Sequence, residues 1–113
     1  MSLQVTALDP LADLRPTYVE RLRGRVASLN EFLHDASQNN LSDTAVSDSH
    51  RCVHSMISSA AIFGHMELSR AARAAEQAFE QRSRVGTQYL VNRIESLLET
   101  ANQVLDAYQT PTQ

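Results

Sequence analysis

Hydrophobic residues recur along the chain at intervals of three and four positions, the spacing of one face of an α-helix. The first such stretch covers residues 18–36. Its inward-facing residues are Val19, Leu22, Val26, Leu29, Leu33 and Ala36, with Tyr18 and Phe32 widening the stripe. Pro16 suits the first turn of this helix, and Leu11 and Leu14 belong to a preceding turn or short helix. The polar run at residues 37–40 predicts a turn.

Two further helices are predicted before residue 82. One begins with Asp43 or Thr44 as its N-cap and ends at Gly64, which suits a C-cap or tight corner. Its seam consists of Val46, Val53, Met56 or Ile57, Ala60 and Phe63. The next runs from about His65 to Gln81. Its inward-facing residues are Leu68, Ala71, Ala72, Ala75 and Phe79. The small alanines of this helix should let a neighbouring helix approach closely.

The last helix has the most regular pattern and follows a connection at residues 83–87 that contains Gly86. Its stripe consists of Leu90, Ile94, Leu97, Ala101, Val104 and Tyr108, with Leu98 and Leu105 alongside. No segment alternates as a β-strand does. The pattern therefore predicts an all-α fold, an antiparallel four-helix bundle with a possible short extra N-terminal helix. Residues 11–108 form the bundle, and 1–10 and 109–113 are tails.

Composition narrows the function. The 113 residues suit one domain. The net charge is −3, which argues against a nucleic-acid binder that relies on a strongly positive field. The chain has no lysine, so a phosphate or acidic partner would be met by Arg, His, Ser/Thr or backbone N–H groups. A single cysteine excludes an intramolecular disulfide framework. No apolar run approaches the length of a membrane-spanning helix. The N-terminal residues do not show the pattern of a leader peptide. We therefore expect a cytoplasmic protein, and a monomer because the four helices satisfy one another. Three scattered glycines cannot build a phosphate-cradling loop.

The predicted second helix carries a second stripe, which is polar and mostly small. Its members are Ser47, Arg51, His54, Ser58, Ala61 and His65, at steps of +4, +3, +4, +3 and +4. His54 lies beside the apolar seam, with no bulky side chain on the following turn of its own face. Near neutral pH much of an unperturbed imidazole is uncharged, so it can act as a nucleophile or bind a metal. An ordinary surface histidine is the alternative.

The residues from His54 onward resemble the histidine-phosphotransfer (Hpt) domain family. That family has a histidine followed by Lys-Gly at +3 and +4, Gly at +10, Leu at +14 and Glu at +22. Gly64, Leu68 and Glu76 match the last three positions, and the resemblance covers roughly residues 11–108. The family pattern implies that His54 carries a phosphoryl group, through Nε2. The sequence alone gives no chemical role to Glu76, for which we expect a packing or helix-end role.

Two positions depart from the family pattern. Ile57 replaces the lysine that offers positive charge to the phosphoryl group, and Ser58 replaces the glycine that keeps the next turn open. We expect Ser58 to preserve access and even to donate a hydrogen bond. Arg51, three residues before His54, is a hypothetical substitute for the missing charge. Ile57 is either a docking contact or a core residue, since it also falls on the apolar seam.

The resemblance implies a phosphoryl carrier in a multistep two-component phosphorelay of the kind found in bacterial signalling. Such a domain has no nucleotide site of its own. Its partners are a response-regulator receiver domain, a hybrid histidine kinase, or both. No cofactor is expected in this chain, because the receiver would supply Mg²⁺ and the acidic pocket. The expected docking or phosphoryl-environment residues are Arg51, Ile57, Ser58, Ala61 and His65.

Three other interpretations stay open. A degenerate Hpt-like module would dock a receiver or kinase without being phosphorylated, which the missing lysine favours. A metal site could use His50 and His54 at i, i+4, with Cys52 or His34 added. However, Cys52 falls on a different side of the helix and no acidic general base accompanies the pair, so we expect no metal. A helical interaction module without chemistry is the third. Otherwise Cys52 is a partly buried hydrophobe and His34 a helix-end dipole partner.

Overall fold

The structure is a computed structural model and describes residues 10–109. It contains five helices within that range: α1 (Arg15–Ser37), α2 (Asp43–Ile62), α3 (Met66–Glu80), α4 (Arg82–Val85) and α5 (Thr87–Gln109). No strand occurs in the described part of the chain. The predicted all-α helical bundle is confirmed. The predicted tails fall almost wholly outside the described residues, since residues 1–9 and 110–113 are not among them.

The four long helices are antiparallel to their neighbours, as contacts between distant residues show. Ser69 on α3 bonds to the carbonyl of Ile57 on α2, and Arg25 on α1 donates to Ser59 on α2. The N-terminal end of α1 meets the C-terminal end of α5, because a guanidinium nitrogen of Arg15 donates to the Tyr108 hydroxyl over 3.1 Å. Helix α3 packs against both α2 and α5, so side chains of α3 face α2.

The helix ends differ from the sequence expectation in three places. The N-cap of α2 is Ser42, whose hydroxyl accepts from the amide of Ala45, so the prediction of Asp43 or Thr44 was one or two residues late. Residues 10–14 form a turn before α1 and not an extra helix. Residues 83–85, predicted as part of a connection, belong to the one-turn helix α4.

Helices α1 and α2 both end in the same hydrogen-bonded motif. After α2, the amide of Gly64 bonds to the Ala61 carbonyl and that of His65 to the Ala60 carbonyl. This is a Schellman arrangement, and it needs a left-handed residue at the position of Gly64, whose φ is 82°. Asn39, with φ of 53°, has the equivalent place after α1. Both turns were correctly predicted from the sequence.

The core consists of the apolar stripes that the sequence predicted. The largest fully buried side chains are Leu22, Leu29, Met56, Leu68, Leu90, Ile94, Leu97 and Val53. Tyr108 is the exception, because it is exposed at the bundle end instead of facing inward. Met56 and Ile57 are both buried, since the α2 seam is wide enough to face α1 and α3 at once. Among the described residues, no helix combines the length and the hydropathy that a membrane span requires.

Candidate functional site: a histidine–glutamate pair between two helices

His54 stands on the exposed side of α2. Its side chain retains 70% of its accessible surface, so the ring is neither in the core nor covered by its neighbours. Helix α2 is continuous from Asp43 to Ile62, so the backbone of His54 lies in the middle of a helix and not on a loop. The next positions on its face, Ser58 and Ala61, are small and exposed. A partner molecule can therefore approach this imidazole.

Glu76 on α3 holds one nitrogen of that ring. Its Oε2 is hydrogen-bonded to Nδ1 of His54. Unlike the ring, the carboxylate is mostly covered, with 15% of its surface exposed. A mostly covered carboxylate moves less than an exposed one and so constrains the ring it binds. Glu76 thus has a direct chemical partner, and the expectation of a packing or helix-end role was wrong.

The contact also distinguishes the two ring nitrogens. In the neutral ring, a proton on Nδ1 donates to the Glu76 carboxylate, and the lone pair is then on Nε2. No hydrogen-bond partner of Nε2 lies among residues 10–109. A carboxylate that fixes the tautomer and stabilises positive charge on the ring is the arrangement that activates histidine in other sites. Nε2 is therefore the ring nitrogen whose lone pair is left available to an approaching molecule.

A shallow concavity surrounds the pair. It is lined by Ser47, His50, Arg51, His54 and Glu76. Arg51 therefore lies at the same site as His54, as the sequence hypothesis required. Its guanidinium bonds to Asp48 over 3.3 Å, on the turn away from His54, and both side chains are mostly exposed. An exposed pair of this kind holds its geometry weakly, so Arg51 can turn towards an incoming anion at little cost.

Ile57 is a core residue. Its side chain is 8% exposed, so the expectation that it contributes to a docking surface is corrected. The physical reason is the packing of α3 against α2, which places Ser69 within 2.9 Å of the Ile57 carbonyl and covers that face. The position where the family has a lysine is thus used here for packing. Ser58, one residue on, is exposed and its hydroxyl faces no partner among the described residues.

His65 belongs to a different cluster. It follows His54 by eleven residues and lies past the end of α2. Its Nδ1 is 2.8 Å from the Tyr18 hydroxyl, and its ring meets Tyr108 edge-on. Tyr18 in turn stacks on Phe63, with 4.2 Å between ring centroids. The expectation that His65 lines the surroundings of His54 was therefore wrong, because it closes the end of the bundle.

Burial shifts the titration of the groups around this second cluster. It lowers the pKa of His65 below 6.5, and the nearby charge of Arg15 adds to the shift. Burial also raises the pKa of Tyr18 to about 12. Away from this cluster, burial raises the pKa of the Cys52 thiol. That thiol faces α1 and not the contact between His54 and Glu76. A thiol that resists ionisation has little nucleophilic character.

The contact between Glu76 and His54 was not predicted from the sequence, although a signal for it existed. The spacing of 22 residues from His54 was recognised, but a contact between two helices depends on their relative register. The hydrogen bond from Ser69 on α3 to the Ile57 carbonyl on α2 shows that register, and it brings Glu76 to His54.

Comparison with known proteins agrees with this architecture. The sequence model of the Hpt domain matches residues 13–104, most of the chain. Neither the search of curated proteins nor the search of solved structures found a match. Hpt domains take part in histidine phosphotransfer within phosphorelays, together with receiver domains and histidine kinases. With its helical bundle, its exposed His54 and the family pattern across both, the chain belongs to the Hpt domain family.

Proposed function

We propose that this chain is a phosphoryl carrier that exchanges a phosphoryl group between His54 and the aspartyl phosphate of a receiver domain. The observation that carries the proposal is the pairing of an exposed imidazole with a mostly covered carboxylate at its Nδ1. The exposure of the ring gives a partner access to His54, and the carboxylate of Glu76 orients the ring. The chain is then a relay component, with no nucleotide site and no turnover of its own.

The reaction is a transfer between two acceptors. The lone pair on Nε2 of His54 forms a bond to phosphorus, while the bond from phosphorus to the aspartyl oxygen breaks and its electron pair leaves with the carboxylate. The ring becomes positively charged as it attacks, and the proton on Nδ1 stays in its hydrogen bond to Glu76. The Glu76 carboxylate stabilises that charge, and the reverse transfer uses the same contacts. Most of the remaining catalysis is positioning.

The partner supplies what this chain lacks at His54. Mg²⁺ and the acidic pocket belong to the receiver in this proposal. Of the residues around the ring, Arg51 is the basic side chain that can reach the phosphoryl oxygens, and the Ser58 hydroxyl is a second possible donor. The docking surface then comprises the exposed side of α2 around His54, including Arg51, Ser58 and Ala61.

Label transfer tests the proposal. A panel of receiver domains from the same genome, each carrying radiolabelled aspartyl phosphate, is mixed with the chain and Mg²⁺. We expect at least one receiver to pass acid-labile, base-stable label to the wild-type chain and none to His54→Gln. His34→Gln, at another exposed histidine, is the matched control and should accept label as the wild type does.

A second candidate function is a degenerate module that docks a receiver without accepting phosphate. The burial of Ile57 where the family has lysine is the observation that favours it. Stoichiometric binding of a receiver by both the wild type and His54→Gln, with no label on either, would establish that function and refute the carrier.

A further inference from the structure

A cluster of three potential metal ligands, His50, Glu76 and Glu80, lies beside the contact between His54 and Glu76. His50 precedes His54 by four residues on α2, and Glu80 follows Glu76 by four residues on α3. Because the two helices are antiparallel, both steps lead in the same direction. One ligand-type atom each of His50, Glu76 and Glu80 lies within 4.8 Å of the other two.

The members of this cluster are positioned by the fold. The ring of His50 stacks on Phe79 with 5.2 Å between centroids and 3° between planes, which fixes its orientation. Glu76 is held between the helices with 15% of its surface exposed. Only Glu80 is fully at the surface, and its long side chain can rotate towards the other two.

The cluster also has unused binding capacity. Within residues 10–109, neither His50 nor Glu80 forms a side-chain hydrogen bond or ion pair, and no arginine pairs with Glu76 or Glu80. Two carboxylates close together repel one another, and among residues 10–109 the only side chain that pairs with either of them is His54, at Glu76. A divalent cation would neutralise both and use the free imidazole nitrogen.

We infer that His50, Glu76 and Glu80 form a binding site for a divalent transition-metal cation of the zinc class. One imidazole and two carboxylates suit Zn²⁺, whereas Ca²⁺ and Mg²⁺ prefer oxygen ligands alone. Zinc bonds of about 2.1 Å place tetrahedral ligands about 3.4 Å apart, so the cluster must contract slightly. Rotation of Glu80 is the simplest way. Three protein ligands leave a fourth position for water.

Metal binding would act on the phosphoryl-accepting histidine, and this part of the inference rests on the proposed function. Glu76 belongs to both sites, because the carboxylate that would bind the cation also holds Nδ1 of His54. A bound cation draws that carboxylate away and adds positive charge near the ring. Both changes make Nε2 a poorer nucleophile. The cation would therefore slow phosphoryl acceptance, by about the factor that Glu76→Gln causes.

Zinc titration calorimetry of the untagged chain tests the site without any phosphotransfer. We expect one Zn²⁺ per chain for the wild type and at least ~10-fold weaker binding for Glu80→Gln, since loss of a ligand should cost no less than loss of a supporting residue. Glu67→Gln, an exposed glutamate in the first turn of α3, is the matched control and should bind as the wild type does. Equal zinc affinity of Glu80→Gln and the control, or no stoichiometric binding at all, would overturn the inference.

The regulatory effect has its own readout. Transfer of label from one receiver is measured with and without Zn²⁺, and the ratio is compared among the wild type, Glu80→Gln and Glu67→Gln. Any effect of zinc on the receiver is common to all three, so a slowing confined to the wild type and Glu67→Gln assigns it to the cluster. Equal slowing in all three refutes the regulatory effect. Zinc binding without label transfer under any condition would uphold the site and refute the proposed function.

Discussion

Replacing Glu76 by glutamine tests the role of its mostly covered carboxylate with the least structural change. Glutamine keeps the size of the side chain and its ability to accept a hydrogen bond, but it removes the negative charge facing Nδ1 of His54. The structure contains no other carboxylate in contact with that ring among residues 10–109. Any change in phosphoryl acceptance therefore reports on the charge of this one group.

The expected magnitude follows from the chemistry of the contact. A hydrogen bond to a charged group contributes about 1.5–3 kcal/mol and a neutral one about 0.5–1.5 kcal/mol, so the charge accounts for about 1–1.5 kcal/mol. Because the His54 ring is 70% exposed, solvent screens the interaction and favours the lower end. A difference of about 1 kcal/mol in the barrier slows acceptance about 5-fold.

Rapid mixing of the chain with a phosphorylated receiver measures this rate, with Glu67→Gln as the matched variant on the same helix. Circular dichroism melting of each protein shows whether the fold is retained. An acceptance rate of Glu76→Gln equal to that of Glu67→Gln, with both proteins folded, would refute the role assigned to the carboxylate. A complete loss of acceptance, as large as that of His54→Gln, would contradict the magnitude.

Three further predictions concern the fold. Ser69→Ala removes a buried bond to a backbone carbonyl and should lower the free energy of unfolding by about 1–2 kcal/mol in urea denaturation, whereas exposed Ser96→Ala should change it by less than about 0.5 kcal/mol. Ser42→Ala removes the N-cap of α2 and should cost about 1 kcal/mol, with Thr44→Ala costing clearly less; equal costs would contradict the cap assignment. Because the folded pKa of His65 lies below 6.5, the unfolded chain binds more protons and stability falls as pH drops through that value. Urea midpoints between pH 7.5 and about pH 5 should show a weaker fall for His65→Gln, and parallel curves would refute this.

The helices were predictable because their hydrophobic period depends only on the local sequence. The stripe from Val19 to Leu29 is buried where the sequence placed it. The helix ends were harder, since Ser42, Asp43 and Thr44 are all good N-caps and local preference does not choose among them. Ile57 was ambiguous for a similar reason: it lies at the edge of the seam, and only the packing of α3 determines that it is buried.

The sequence predicted the exposure of the histidine at the site but not its contact with a second helix. The exposure of His54 followed from its position beside the seam, and the structure confirms it. Its contact with Glu76 joins residues on two helices, and no periodicity within either helix determines how far one slides along the other. The same holds for His50 and Glu80, which the sequence did not connect. His65 was misplaced because the stripe was extended past Gly64, where the helix has already ended.

The most direct test of the central claim is to locate the phosphate on the histidine ring. Isotope-labelled chain is phosphorylated by a cognate receiver with Mg²⁺, and long-range proton–nitrogen NMR spectra identify which ring nitrogen carries phosphorus. We expect phosphate on Nε2 of His54, with Nδ1 still protonated and bonded to Glu76. Phosphate on Nδ1, or on any other residue of the chain, would contradict it.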